Sequence, residues 1–256
     1  MEHTLNVWQL FGLGAIAGLF PIYVGIGLAL LIVKYISRSL EGFLVGISTG
    51  VLVYLFFDLM HEAVEETGAM DVFSWFVFLG SLMLGYIGLV AIEQRQQGRN
   101  RTAPSKLFLP YMISLGMGLH NLGEGLAIGA SFSQGQWVLS GLLIIGFALH
   151  NGTEGFAIIG ASGNTKPPMP DIIKMGLLAG LPTCLGTVVS GLTVSHYFII
   201  AFFSMAAGSL LFVIFSLVPI FYTASRRMQS AWGVFAGISF MYITAMILAI
   251  VTGIRS

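Results

Sequence analysis

Charge is what this sequence has least of. Asp, Glu, Lys and Arg make up 9% of its 256 residues, and the formal net charge is zero. A soluble domain uses roughly 25% charged residues to cover its surface, so water cannot solvate most of this exterior. With 56% hydrophobic residues and a mean hydropathy of +0.91, lipid must take its place. The neutral balance leaves no basic stripe to meet phosphates, which argues against a nucleic-acid partner. Cysteine is nearly absent: Cys184 stands alone, which excludes an internal disulfide framework and a thiolate zinc cage. Strict in/out alternation is also missing, and the apolar runs are too long and continuous for a membrane barrel. No small-residue cleavage site follows the apolar first thirty residues, so they read as a retained span.

What is present is a series of apolar runs. A helix needs about 20 mostly apolar residues to cross the hydrocarbon core. Eight such runs occur, at roughly 6–33, 42–60, 72–92, 107–131, 136–161, 171–195, 197–222 and 230–253. Backbone groups in lipid must be satisfied within their own segment. The expected fold is therefore all-α: residues 1–256 as a single transmembrane domain of eight helices. Lys34, Arg38, Arg95, Arg99, Arg101, Lys106, Lys166, Lys174, Arg226 and Arg227 fall on the odd-numbered loops or their flanks, with Arg255 opposite. By the positive-inside rule those loops are cytoplasmic and both termini are extracytoplasmic. The longest cytoplasmic link, about 93–106, is polar, contains Pro104, and reads as a hinge.

A local repeat carries the chemistry. Leu119-His120-Asn121-Leu122-Gly123-Glu124-Gly125, then Ala127-Ile128, returns thirty residues later as Leu149-His150-Asn151-Gly152-Thr153-Glu154-Gly155, then Ala157-Ile158. His and Glu four apart share one helical face. At ~1.5 Å per residue, His120 lies roughly 20 Å from one end of its span and His150 roughly 21 Å from the outer end of the next. Both motifs thus approach mid-membrane on antiparallel neighbours. A carboxylate buried there costs on the order of 3 kcal/mol, and such groups line cavities or meet counter-ions. Neither span holds a Lys or Arg. A divalent cation would balance Glu124 and Glu154, with His120 and His150 as neutral ligands. Asn121 and Asn151 either ligate through their amide oxygens or bond a neighbouring helix. Imidazole with oxygen suits zinc, iron, manganese, cobalt or nickel, whereas magnesium and calcium prefer all-oxygen shells.

At these residues the sequence resembles the ZIP (ZRT/IRT-like) divalent-metal transporters of prokaryotic type, which carry H-N-x-P-E-G in the fourth and fifth of eight spans. The resemblance implies a metal site around His120, Asn121, Glu124, His150, Asn151 and Glu154. It also implies zinc as the favoured cargo, uptake toward the cytoplasm through the cell (plasma or inner) membrane, and commonly a homodimer. The chain departs from the pattern in three places. Gly123 and Thr153 replace the motif proline. Ala179-Gly180-Leu181-Pro182 replaces a stretch with a metal-bridging Glu in the sixth span. In the seventh, Phe215 and Ser216, ahead of Pro219, stand where an acidic pair is frequent. One metal site is therefore expected rather than two.

Asp58, His61 and Glu62 lie at i, i+3 and i+4 near the outer end of the second span, followed by Glu65 and Glu66. They read as an outer mouth that concentrates cations, or as a solvated helix end. His196 reads as an interfacial anchor, Cys184 as a packing thiol, and Pro21 and Pro182 as kinks in spans one and six. The function expected is transport of a divalent metal, with no catalysis and no prosthetic group. Two other classes compete. An intramembrane metalloenzyme would need an open coordination position and a placed acid or base. A non-transporting metal-binding membrane protein would show saturable binding without flux.

Overall fold

Helix is the one secondary structure that satisfies its own backbone within a single apolar run, and almost the whole chain adopts it. The computed structural model describes residues 6–35, 38–68, 72–99, 107–162, 166–190, 195–223, 225 and 227–252. Helix α1 (Val7–Gly14) continues into α2 (Phe20–Tyr35) through a π-helical turn, Ala15–Leu19. There follow α3 (Arg38–Thr67), α4 (Val72–Arg99), α5 (Phe108–Ser133), α6 (Trp137–Gly160), α7 (Met169–Val189), α8 (His196–Phe221) and α9 (Arg227–Thr252). Among the described residues there is no strand.

Among the described residues, seven helical stretches are long and apolar enough to cross a membrane: Val7–Ile32, Gly42–Thr67, Val72–Gln96, Trp137–Gly160, Met169–Val189, His196–Ile220 and Arg227–Ile247. The run expected at 107–131 is α5. It has the length, at 26 residues, but not the hydropathy to join those seven. Its surroundings explain the difference. Most of α5 is buried, His120, Asn121 and Glu124 included, because α7, α8 and α6 pack around it. A helix solvated by other helices has no need of a lipid-compatible surface.

Several boundaries differ from those expected. Helix α3 runs to Thr67 rather than 60, so His61, Glu62, Glu65 and Glu66 are helical. Helix α7 ends at Val189 instead of near 195. In the expected hinge, residues 93–99 are the last turns of α4, while 100–106 lie outside the described residues, as do Asp71, Arg226 and Arg255. A π-helical turn, Ala15–Leu19, lies just before Pro21, where a kink is expected.

The helices sort into two groups. In one, α2 packs on α6 and α5 on α7, with α1 and the π-helical turn also against α7. In the other, α3 packs on α9 and on α8, and α4 on α8. The groups meet mainly where α5 touches α8 and α3 touches α6. They are not the two halves of the chain, and the α4–α5 link crosses from one to the other. Lipid supplies no hydrophobic drive between helices, so close backbone approach must do much of the work. A β-carbon at Gly125 would collide with the Thr183 carbonyl of α7, and one at Gly237 with the Ile47 carbonyl of α3.

Gly125→Val should therefore lower stability by about 1–3 kcal/mol or more through overpacking, read as a lower unfolding midpoint of the purified protein in detergent. Gly141→Val, whose β-carbon would meet nothing within 4 Å, should leave the midpoint unchanged.

Candidate metal centre

Helices α5 and α6 are joined by a short turn, with Gly135 at φ +73°, so they run antiparallel and bring the two motif copies face to face. Glu124 is at the centre. Its Oε1 lies 3.0 Å from His120 Nε2, one turn back on α5. The same oxygen pairs with His150 Nε2 of α6, and Oε2 accepts a 2.7 Å hydrogen bond from Asn151 Nδ2. All of these residues are buried.

The second carboxylate is held differently. Glu154 Oε2 accepts a 3.0 Å hydrogen bond from Asn121 Nδ2, and its Oε1 has no hydrogen-bond partner. Each motif asparagine thus donates to the glutamate of the other helix. Each also donates to a carbonyl of a third helical segment: Asn121 to Ala179 O of α7 at 3.1 Å, and Asn151 to Ala17 O in the π-helical turn at 3.0 Å. The second of these follows from sequence. Pro21 has no N–H, so the α-helical donor that would serve the carbonyl four residues earlier, Ala17, does not exist. The neighbouring π-helical turn and the Asn151 amide accommodate that break. On α7, Pro182 likewise leaves the Leu178 carbonyl without its α-helical donor, and that oxygen lies where a β-carbon at Gly118 would be.

His120, Glu124 and His150 offer three ligand atoms that all lie within 4.8 Å of one another. Ligands of a tetrahedral zinc ion at 2.0–2.1 Å sit about 3.3 Å apart, so small side-chain shifts would close the set on one ion. The polar accounting points the same way. Five buried atoms of the motifs lack a hydrogen-bond partner: His120 Nδ1 and Nε2, Asn121 Oδ1, Asn151 Oδ1 and Glu154 Oε1. His120 Nε2 is near Glu124 but not aligned for a hydrogen bond. Buried polar groups are normally paired, and these unpartnered oxygens, with the one lone pair of a neutral His120 imidazole, suit a cation rather than apolar packing.

Of the six residues expected around a metal, the structure brings three into a common cluster. Glu154 sits beside it, tied to Asn121. Asn121 and Asn151 orient the glutamates through their amide nitrogens. Phe147 stacks edge-on against His150 at 5.6 Å. The expected outer-mouth residues Asp58, His61 and Glu62 are exposed on α3. They do not join the cluster. His61 pairs with Glu65 at 3.5 Å, and His196 with Glu66 at 2.9 Å, which ties α8 to α3. Cys184 is buried and free. Ser216 bonds Phe212 O in its own helix at 2.8 Å.

One residue near the site gave no signal in the sequence. Ser48 of α3 donates a 2.6 Å hydrogen bond to Thr153 O, next to Glu154, and so links the two helix groups beside the motif. A serine in an apolar helix usually bonds its own preceding turn, as Ser48 also does to Leu44 O at 3.3 Å. Only the tertiary contact distinguishes it. No protein-family model matches the chain.

Metal titration of the purified protein should separate ligands from the groups that orient them. Glu124→Ala or His150→Ala should abolish tight binding of a first-row divalent ion. Asn151→Ala should weaken it about 10–100-fold, as loss of an outer-shell partner does.

Proposed function

We propose that this chain is a multi-pass membrane transporter for a divalent transition-metal ion, zinc being favoured, as its resemblance to the ZIP family implies. The observation that carries the reading is the buried His120, Glu124 and His150 cluster, on two antiparallel helices inside an apolar bundle. Its two nitrogens and one oxygen suit zinc or its first-row neighbours more than calcium or magnesium.

In this reading α5, the fourth span, brings the number to eight and is shielded from lipid by its neighbours, and both termini are extracytoplasmic. The membrane is the cell's plasma or inner membrane, and two copies associate. Asp58, His61 and Glu62 raise the local cation concentration at the outer mouth. The ion exchanges waters for His120, Glu124 and His150, and Glu154 supplies the second negative charge from the adjoining position. Without an acid at Ala179–Pro182 to bridge a second metal, one ion occupies the centre. Both motif helices belong to one helix group. A shift of that group against the other, with Ser48 and Thr153 at the seam, would expose the ion to the cytoplasm.

A second reading is favoured by one observation. Two histidines and one glutamate leave coordination positions open, as in catalytic zinc and non-haem iron sites, and Glu154 Oε1 is an unpartnered oxygen beside them. An intramembrane metallohydrolase could use that carboxylate as a base.

Metal uptake into proteoliposomes tests the proposal. The wild-type protein should accumulate zinc or another first-row ion, and the Glu124→Ala, Glu154→Ala double variant should not. Uptake unchanged in that variant would remove the site from the mechanism. Turnover of a lipid or peptide amide without metal flux would favour the enzyme.

A further inference from the structure

Because α4 is held by α8 and α5 by α7, while α4 scarcely touches α5, the two helix groups part at one edge. A cavity of about 550 Å³ occupies the gap, and none of the cluster residues lines it. Its position follows from its lining. Gln96 is near the end of α4, and Tyr111 and Asp171 are in the first turns of α5 and α7. Three helix ends meet there, which puts the mouth at the level where spanning helices leave the membrane. From the mouth the floor runs inward along Ile92, Leu115 and Leu178 and is predominantly apolar.

Such a shape, with an apolar body and a few convergent polar groups, is that of a ligand site. The polar groups narrow the ligand. Tyr111 Oη donates a 2.6 Å hydrogen bond to Asp171 Oδ1, which fixes the carboxylate at the rim while leaving it able to accept further donors. The N-terminus of α5, whose Phe108 and Tyr111 line the cavity, adds partial positive charge to the rim. A carboxylate beside a positive helix end, above an apolar slot at membrane level, complements a zwitterionic amphiphile.

We propose that this groove binds a phospholipid with a primary-amine head group. Its ammonium donates to Asp171, its phosphate lies toward the start of α5, and an acyl chain fills the slot between α4 and α5. The free N–H groups matter: a trimethylated head carries the same charge but cannot donate to the carboxylate, and a glycerol head has no cation. The site does not depend on the proposed transport function. A lipid seated there would also bridge the two helix groups.

The experiment is native mass spectrometry of the full chain released from bilayers containing equal amounts of phosphatidylethanolamine, phosphatidylcholine and phosphatidylglycerol. Wild type should retain phosphatidylethanolamine about ten-fold over either competitor, the scale of one hydrogen bond to a charged group. Asp171→Asn should erase that preference. Tyr111→Phe should reduce it. Leu178→Trp, which fills the slot, should lower retention of all three lipids while the unfolding midpoint in detergent is kept, showing that the fold is intact. Equal retention of the three lipids by wild type, a preference for phosphatidylglycerol, or an undiminished preference in Asp171→Asn would each overturn the assignment.

Discussion

The interaction on which the rest of the structure depends is the solvation of Glu124 inside an apolar bundle. Its two oxygens are met by His120, His150 and Asn151, all from the two motif helices and none of them a fixed cation. This sets α5 against α6 in one register, since a one-residue slip would carry the imidazoles off the carboxylate's face. It also requires that α5 be screened from lipid. The helix that bears the charge is the one long helix too polar to pass as a spanning segment by its own hydropathy, and α7, α8 and α6 enclose it.

That enclosure depends on backbone defects and on missing side chains. The Ala17 carbonyl can meet Asn151 where a proline and a π-helical turn interrupt the regular ladder. The α5–α7 contact is close because Gly118 and Gly125 offer no β-carbon to the α7 backbone. Glycine weakens an isolated helix, yet here each one lets two helices approach until carbonyls and Cα hydrogens touch, which is the dominant form of cohesion left once the hydrophobic effect is absent. Polar fixation of the site and apolar fixation of the bundle thus fall on the same helix.

Much of this was legible in the sequence, and the part that was not has a physical reason. Apolar runs identified the helices because lipid leaves few alternatives, and the His-Asn-x-x-Glu repeat located the site because a three- or four-residue spacing is a statement about helical faces. The second half of the site was harder to read. The two copies are nearly identical in sequence, but Glu124 touches both histidines and Glu154 touches neither. Local spacing is blind to how far one helix is rotated or shifted against the next. The same blindness applies to Ser48, which matters only through α3 packing on α6, and to the division into helix groups, which interleaves the chain's order. Conversely, the C-terminal ends of α3 and α7 differ by several residues from those expected because hydropathy marks where lipid ends, whereas a helix ends where its hydrogen bonds do.

The asymmetry between the two glutamates has a consequence for any cation the site receives. With neutral imidazoles, Glu124 alone leaves a divalent ion one charge short of balance, and a net charge in a low-dielectric bundle is costly. Glu154 lies close enough to supply the difference, yet its bond to Asn121, and through Asn121 to α7, holds it to one side. Moving it into the coordination shell would break or lengthen that link. Metal binding and the packing of α7 on α5 are then coupled through one amide, so the arrangement that accepts the ion most tightly need not be the one that packs α7 best. A site built to retain its metal would be expected to avoid such competition; a site that must release it has a use for it.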